Sequence, residues 1–324
     1  MQKNLDISVI VPVYNEQENL ENIYQQIVDA LGLKYSFEII FVDDGSKDDS
    51  QKILEKIHQR DSRVRIIIFR RNFGQTAAMS AGFNHAKAEI IVPLDADGQN
   101  DPADIPALVE KLKEGYDIVS GWRKDRKDKT ISRKIPSMTA NWIIGKMTGV
   151  KLHDYGCSLK AYRREILDTI NLYGEMHRFI PAIASWYGAR ITEMAVNHRP
   201  RVTGVAKYGL ERTVKVFLDL MTIKFLGSYA TKPIYIFGGM GIFSGIASVL
   251  IGLCVLYKKY ISSEQLPMNR NPLLLLAALL MITTVQLVLM GLLAEMIVRT
   301  YHESQKRPIY VIRKILESST GDGK

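Results

Sequence analysis

The stretch Ile90-Ile91-Val92-Pro93-Leu94-Asp95-Ala96-Asp97-Gly98-Gln99-Asn100-Asp101-Pro102 decides the fold. An apolar, β-prone run ends abruptly in two carboxylates one residue apart, followed by a glycine, polar residues and a proline. This pattern reads as a buried parallel strand delivering acids to its carboxyl end, where open α/β sheets bind ligands. Asp95 and Asp97 stand at i and i+2, so an ideal strand points both to one face. Such a pair can grip one divalent cation, and hard oxygen ligands suit Mg2+ or Mn2+. Gln99 continues the same period and adds a carbonyl oxygen. For so short a motif, a solvated Asp-rich turn is the plain alternative.

Working outward, the same pattern repeats. Ile7 to Val13 reads as a strand ending in Tyr14-Asn15-Glu16, and Phe37 to Val42 as a second ending in Asp43-Asp44-Gly45-Ser46. Val64 to Phe69 is a third, followed by Arg70-Arg71-Asn72-Phe73-Gly74, and Asp117 to Gly121 a fifth. Helical spacing fills the gaps over 18–31, 48–60 and 75–87, and Pro102 with Asp104 opens another helix. Strands alternating with helices predict a parallel sheet covered on both faces. No G-x-G-x-x-G or G-x-x-x-x-G-K-[ST] occurs, which argues against dinucleotide-binding and P-loop enzymes.

The 324 residues leave room for one large domain or two smaller ones, and the formal charge of +9 favours an anionic partner. Cys157 and Cys254 lie far apart without metal-ligand spacing, and both read as packing residues. Met1 to Asp6 is polar, so no signal-peptide pattern opens the sequence. From Ile234 to Tyr257 and from Pro272 to Ala294 no charged residue occurs. Each run exceeds the roughly 20 residues that span hydrocarbon, so two transmembrane helices are expected. Arg212, Lys215, Lys224 and Lys232 precede the first, and Arg299, Lys306, Arg307, Arg313 and Lys314 follow the second. The linker holds only Lys258, Lys259 and Arg270. The positive-inside rule then puts both termini in the cytoplasm. Gly241 and Gly245 form a GxxxG that lets helices approach closely.

Four motifs in order carry a resemblance: Val11-Pro12-Val13-Tyr14-Asn15-Glu16, Val42-Asp43-Asp44-Gly45-Ser46, Arg71-Asn72-Phe73-Gly74 and Leu94-Asp95-Ala96-Asp97-Gly98-Gln99. Residues 5 to about 210 resemble family 2 glycosyltransferases of the GT-A fold. Within that family they look most like the polyisoprenyl-phosphate branch, which includes dolichyl-phosphate mannose synthases and bacterial undecaprenyl-phosphate glucosyltransferases. The resemblance implies that Pro12, Tyr14 and Glu16 line a nucleoside pocket, joined by Arg71 and Gly74, and that Asp44 hydrogen-bonds the base. Asp95 would contact ribose or metal, and Asp97 would coordinate a metal that bridges the diphosphate. Asp154, in His153-Asp154-Tyr155-Gly156-Cys157-Ser158-Leu159-Lys160, matches the family's acid near the anomeric carbon, as general base or as orienter of the acceptor. Lys160 itself reads as a solvated strand end.

On the acceptor side, Gly121 to Lys129 packs alternating charge into a loop after the fifth strand. It reads either as a solvated loop or as a trap for a lipid phosphate, with Arg123 and Arg126 as contacts and Arg133 extending the patch. His198 to Tyr208 resembles the family's R-x-x-G-x-S-K-Y segment, with Ala206 in the usual serine position. Arg201 and Lys207 remain there as diphosphate ligands. Glu175 is expected at a helix start, where an acid suits the dipole. The apolar stretch with scattered charge over 211–232 reads as juxtamembrane amphipathic helices.

The expected architecture is therefore an α/β GT-A catalytic domain over 1–210, with a mostly parallel sheet. Juxtamembrane helices over 211–232, two spans over 233–299 and a cytoplasmic tail over 300–324 follow it. The expected activity is inverting, metal-dependent transfer of a hexose to a polyisoprenyl phosphate at the cytoplasmic face of a bacterial plasma membrane. UDP-glucose is the first donor choice, undecaprenyl phosphate the acceptor, and a homo-oligomer is expected. A GDP-mannose-dependent synthase, a processive polysaccharide synthase and a non-catalytic nucleotide-sugar sensor are the alternatives. No nucleic-acid motif is present.

Overall fold

The computed structural model describes residues 5–124, 141, 144–146, 148–170, 172, 176–200, 234–261, 271–304 and 312–316. It comprises two compact units: Met1–Met221 together with Pro308–Lys324, and Thr222–Arg307. The expected phosphate ligands Arg126, Arg133, Arg201 and Lys207 lie outside the described residues. So do Glu175 and the juxtamembrane stretch 211–232.

In the first unit the strands are β1 (Ile7–Val13), β2 (Phe37–Asp43), β3 (Val64–Phe69), β4 (Ile90–Pro93), β5 (Ile118–Trp122), β6 (Lys160–Arg163), β7 (Ile191–Ala195) and β8 (Ile312–Leu316). They form one eight-stranded sheet in the order β7-β5-β6-β4-β1-β2-β3-β8. Pairing is parallel for β1 with β2 and β4, β2 with β3, and β5 with β7. Antiparallel β6 is wedged between β4 and β5, and antiparallel β8 closes the β3 edge. The sheet is thus mixed, mostly parallel, as the alternation of strands and helices implied.

Apolar runs in the central strands follow from burial on both faces. Ile7, Val9, Val11 and Val13 join a core under helices α1 (Leu20–Leu31), α2 (Ser50–Arg60) and α4 (Ile105–Lys113), while Ile10 faces the opposite core. That second core lies under α3 (Gln75–His85) and α6 (Ile180–Trp186), with the short α5 (Arg164–Leu167) at its margin. In α1 the buried Leu20, Ile23, Tyr24, Ile27 and Leu31 follow helical spacing. Helix α3 is built of small residues because it presses on the sheet: a Cβ on Gly82 would lie 2.1 Å from Ile10 Cγ2.

Pro12 stands in a central strand without cost to the ladder. The Ile10 carbonyl accepts from Leu94 N–H at 2.9 Å, so Ile10 and, two residues on, Pro12 direct their main-chain polar groups towards β4. The β1–β4 register ends at Ile10 and Pro93, leaving Pro12 without a bond to donate there.

The second unit holds α7 (Ile234–Tyr260) and α8 (Pro272–Ser304), both long and apolar enough to cross a membrane. They display Ile242, Phe243, Ile246, Leu250 and Leu253 on α7, and Leu275, Leu279, Ile282 and Leu289 on α8, outward. The GxxxG residues serve contact within this pair. A Cβ on Gly241 would meet Val288 at 3.2 Å, and one on Gly245 would meet Thr284 at 3.3 Å. Ser244 and Ser248 donate to the carbonyls of Leu280 (3.0 Å) and Ala277 (2.7 Å).

Candidate active site

The carboxyl ends of β1, β2, β3, β4 and β5 point to one edge, and the acids that follow β1, β2 and β4 gather there. The loops after β1 and β2 are stitched together. Asn15, held at φ 55°, donates its N–H to Ser46 Oγ (3.0 Å) and accepts from Lys47 N–H (2.8 Å). Glu16 N–H reaches Ser50 Oγ at 3.1 Å, and Gln17 accepts from Asp49 N–H at 2.9 Å. Gly45 has φ +71°, and a Cβ there would strike the Arg71 carbonyl carbon at 2.6 Å, so the β2 and β3 loops touch main chain to main chain.

Asp44 locks that contact. It is 3% exposed, and its two oxygens accept from Phe73 N–H (2.7 Å) and Gly74 N–H (2.9 Å). Burial raises its pKa despite these bonds, and the neighbouring Asp43 adds to the rise. It holds the Arg71–Gly74 loop; a nucleobase would have to share oxygens already engaged. Arg71 is exposed, its guanidinium 4.4 Å from the Phe73 ring centre, and Tyr14 and Glu16 are half-buried at the β1 end.

Asp95 and Asp97 reach the same edge by a different route from the one the spacing suggested. β4 stops at Pro93, so the acids occupy a turn, shaped by Gly98 at φ +70°, and strand alternation does not align them. They still lie near enough to feel each other's charge: burial first, then the charge of Asp97, pushes the Asp95 carboxyl up to about 6. Ser158, Arg123 and Lys160 oppose that rise. Asp95 Oδ1 also accepts from Gln75 Nε2 at 2.7 Å, and Asp97 Oδ1 from Gln99 N–H at 3.1 Å. Two like charges strained in this way are what a divalent cation relieves. Among the described residues no group of three or more His, Cys, Asp and Glu side chains could hold a metal ion. The acids would therefore share any ion with a carbonyl and with ligand oxygens, as Mg2+ sites commonly do.

Asp154 and Arg123, expected as base and as phosphate ligand, are paired with each other. Arg123 donates Nε to Oδ2 at 2.7 Å and Nη2 to Oδ1 at 3.0 Å, and Asp154 is 4% exposed. Gly156 N–H adds a third bond to Oδ1 at 3.0 Å. One residue before each partner, Trp122 and His153 stack with ring centres 4.4 Å apart, and Glu193 of β7 ties down His153 through both ring and main chain. The arrangement suits orientation better than proton abstraction, because a carboxylate bonded to guanidinium is a poor base.

The glycosyl transferase family 2 model matches residues 8–170. Along nearly its whole length the chain is 42% identical to a dodecaprenyl-phosphate galacturonate synthase of Rhizobium johnstonii, covering 98% of this chain and 95% of the relative. The chain belongs to glycosyl transferase family 2. This glycosyltransferase is also 37% identical to an undecaprenyl-phosphate 4-deoxy-4-formamido-L-arabinose transferase of Edwardsiella ictaluri, over 98% of this chain and 96% of that one. Its fold recurs in glucosyl-3-phosphoglycerate synthase of Mycobacterium tuberculosis, solved with Mn2+, UDP and phosphoglyceric acid. The TM-score is 0.54 at 17% identity, covering 69% of this chain and 78% of that one. The GT-A fold implied by the four motifs is the fold observed.

Three residues of this family 2 enzyme stand in the site without having been singled out as ligands. Gln75, first in α3, reaches Asp95; the motif preceding it ended at Gly74. Ser158 accepts from Asn100 Nδ2 at 2.7 Å and lies close enough to Asp95 to oppose the rise of its pKa. Lys160, expected at a solvated strand end, is 2% exposed. Its burial is a consequence of strand direction: β6 runs antiparallel, so its first residue lies at the carboxyl edge of its neighbours. Cys157 is a packing residue, as expected, and burial pushes its thiol up to about 11.

Proposed function

We propose that this glycosyltransferase moves a sugar from a UDP-linked donor to a polyprenyl phosphate at the cytoplasmic face of a membrane, with inversion at the anomeric carbon. The match to two polyprenyl-phosphate sugar transferases carries the reading, because it runs through the apolar helices as well as the sheet. An acceptor phosphate oxygen bonds to the anomeric carbon as the bond from that carbon to the diphosphate breaks, and UDP leaves with the electron pair. A phosphate monoester has a second pKa near about 6 and is largely dianionic at neutral pH, so the step needs no strong base.

The resemblance supports the following roles. Tyr14, Glu16, Pro12, Arg71 and Gly74 line the nucleoside side, with Asp44 holding the loop that carries the last two. Asp95 and Asp97, with Gln99, would hold Mg2+ or Mn2+; when bound, such an ion neutralises charge on the departing diphosphate. Asp154 aims Arg123 at the acceptor phosphate, and Arg126, Arg133, Arg201 and Lys207 supply further positive charge.

The relatives' names speak of galacturonate and a formamido-arabinose, and neither supports glucose as the sugar. The donor is therefore best sought among UDP-linked uronic acids and modified pentoses, with UDP-glucose as a comparison. Return of the chain to β3 through β8, after two apolar helices, supports an even number of crossings. With the flanking Lys and Arg, it favours a cytoplasmic catalytic domain.

The test is transfer of radiolabel into organic-extractable lipid by membranes carrying this protein. UDP-galacturonate, UDP-4-deoxy-4-formamido-L-arabinose, UDP-glucose and GDP-mannose are offered in turn, with Mn2+ or EDTA. Metal-dependent label in a mild-acid-labile lipid from one donor supports the reading and names the sugar. Label in a long water-soluble polymer, or UDP binding without label from any donor, sinks it.

A further inference from the structure

An ammonium buried beneath two acids is costly, and a methionine of similar length would fill the same space without that cost. Lys160 nevertheless occupies such a place. Its Nζ donates to the carbonyl of Cys157 and, at 3.4 Å, to that of Tyr155. Both carbonyls belong to the loop 154–159, whose two ends serve the two halves of the site. At one end Asp154 takes the Arg123 fork; at the other Ser158, held by Asn100 Nδ2, lies beside Asp95 and opposes the rise of its pKa. The loop is closed from outside by Gly121 N–H to the Leu159 carbonyl (3.0 Å) and by Tyr155 Oη to the Val150 carbonyl (2.6 Å). Lys160 is the contact that gathers it from within.

We propose that Lys160 is a positioning residue: it clasps the 154–159 loop from below and thereby fixes the Asp154–Arg123 pair relative to Asp95. The inference rests on the reading above, in which Asp95 serves the donor and Arg123 the acceptor. Burial lowers the Lys160 pKa, while the nearby Asp154 and Asp95 pull it back up, so the charge and the acids support one another. In-line transfer demands that two anionic substrates meet at a fixed distance, and small displacements of such groups are expensive in rate. Lys160 is thus a specific device for distance rather than a ligand of either substrate.

The experiment compares full-length wild type with Lys160→Met in the lipid-transfer assay, in thermal unfolding, and in Mn2+ binding followed by electron paramagnetic resonance with UDP present. The expected result is a kcat about 100-fold lower with donor KM within about twofold. The thermal midpoint stays at or above the wild-type value, as replacing a buried charge by an apolar side chain allows. Mn2+ binds at least as tightly, because a repelling cation has gone. A kcat within about threefold of wild type, or a rate loss matched by lost Mn2+–UDP binding, overturns the proposal. Should the Met variant not fold, Ser158→Ala decides: a kcat about tenfold lower supports the loop's role, and an unchanged one overturns it. Absence of lipid label from the wild type overturns the proposed function itself; label there with an unimpaired Met variant overturns the Lys160 inference alone.

Discussion

The loops after β1, β2 and β3 and those around β4, β5 and β6 form two halves of one site, built in opposite ways. In the first half, neutral backbone N–H groups meet side-chain oxygens: Asn15 with Ser46 and Lys47, Glu16 with Ser50, Asp44 with Phe73 and Gly74. In the second half, full charges meet: Asp154 with Arg123, Asp95 beside Asp97, and Lys160 among them. Backbone bonds fix shape at modest individual strength, about 1 kcal/mol each. Buried charges fix field and distance, at the risk of large penalties when one partner is lost. Under the proposed function the first half meets a flat, largely neutral nucleoside, which needs shape. Under the same reading the second half brings two phosphorylated groups together, which needs field.

The comparison is most severely tested by Asp97→Asn, for which kcat should fall by about 1000-fold. Its thermal midpoint should not drop, because Asp95 loses a repelling neighbour; a lower midpoint would mean that the pair stabilises the fold. Arg123→Met comes next, with a loss of about 3 kcal/mol of stability and about 100-fold in rate. In the double variant Arg123→Met with Asp154→Leu, denaturant unfolding should recover the stability while the rate stays low. In the first half the effect is smaller and of another kind. Asp44→Asn should cost about 1–2 kcal/mol and raise donor KM about tenfold, with kcat little changed.

A further effect is read by pH. His177, buried against Thr76 Oγ1 at 2.7 Å, has its pKa lowered to about 3 by burial, with Arg178 and Lys160 adding to the shift. An unfolded histidine titrates near about 6.5, so its contribution to stability is complete above that pH and is lost as pH falls towards 3. Asp95 runs the other way: its carboxyl at about 6 takes up a proton in the folded state before the unfolded chain does. Its contribution therefore rises as pH falls from 6 to about 4. Unfolding of His177→Gln between pH 7 and 4 should show a smaller loss of stability with falling pH than wild type; an unchanged acid slope would remove His177 from the account.

The first half was legible in the sequence because local chemistry determines it. Strands β1 to β3 are continuous apolar runs, and Asp44-Gly45 and Arg71 to Gly74 follow them at once, so order along the chain became adjacency in space. The second half was not, because its partners are distant in sequence. The sequence suggests a substrate contact for each of Arg123 and Asp154, and nothing in their spacing announces that they bond to each other. Asp95 and Asp97 were placed on a strand that ends at Pro93. Lys160 was put in water because β6, only four residues long, gives no sign of running against its neighbours. The five residues Ile312 to Leu316 looked like part of a basic tail; only the open side of β3 reveals them as a strand.

That last strand has a consequence for how the protein is made. Most of the sheet emerges from the ribosome early, but β3 remains an unpaired edge until both apolar helices and nearly all of the tail have been synthesised. Biogenesis thus leaves Ile66 to Phe69 open to wrong pairing throughout the period in which the helices are being inserted. A soluble fragment ending before α7 would carry that edge permanently, and a useful excised domain would need the 308–324 segment supplied back, joined or added in trans.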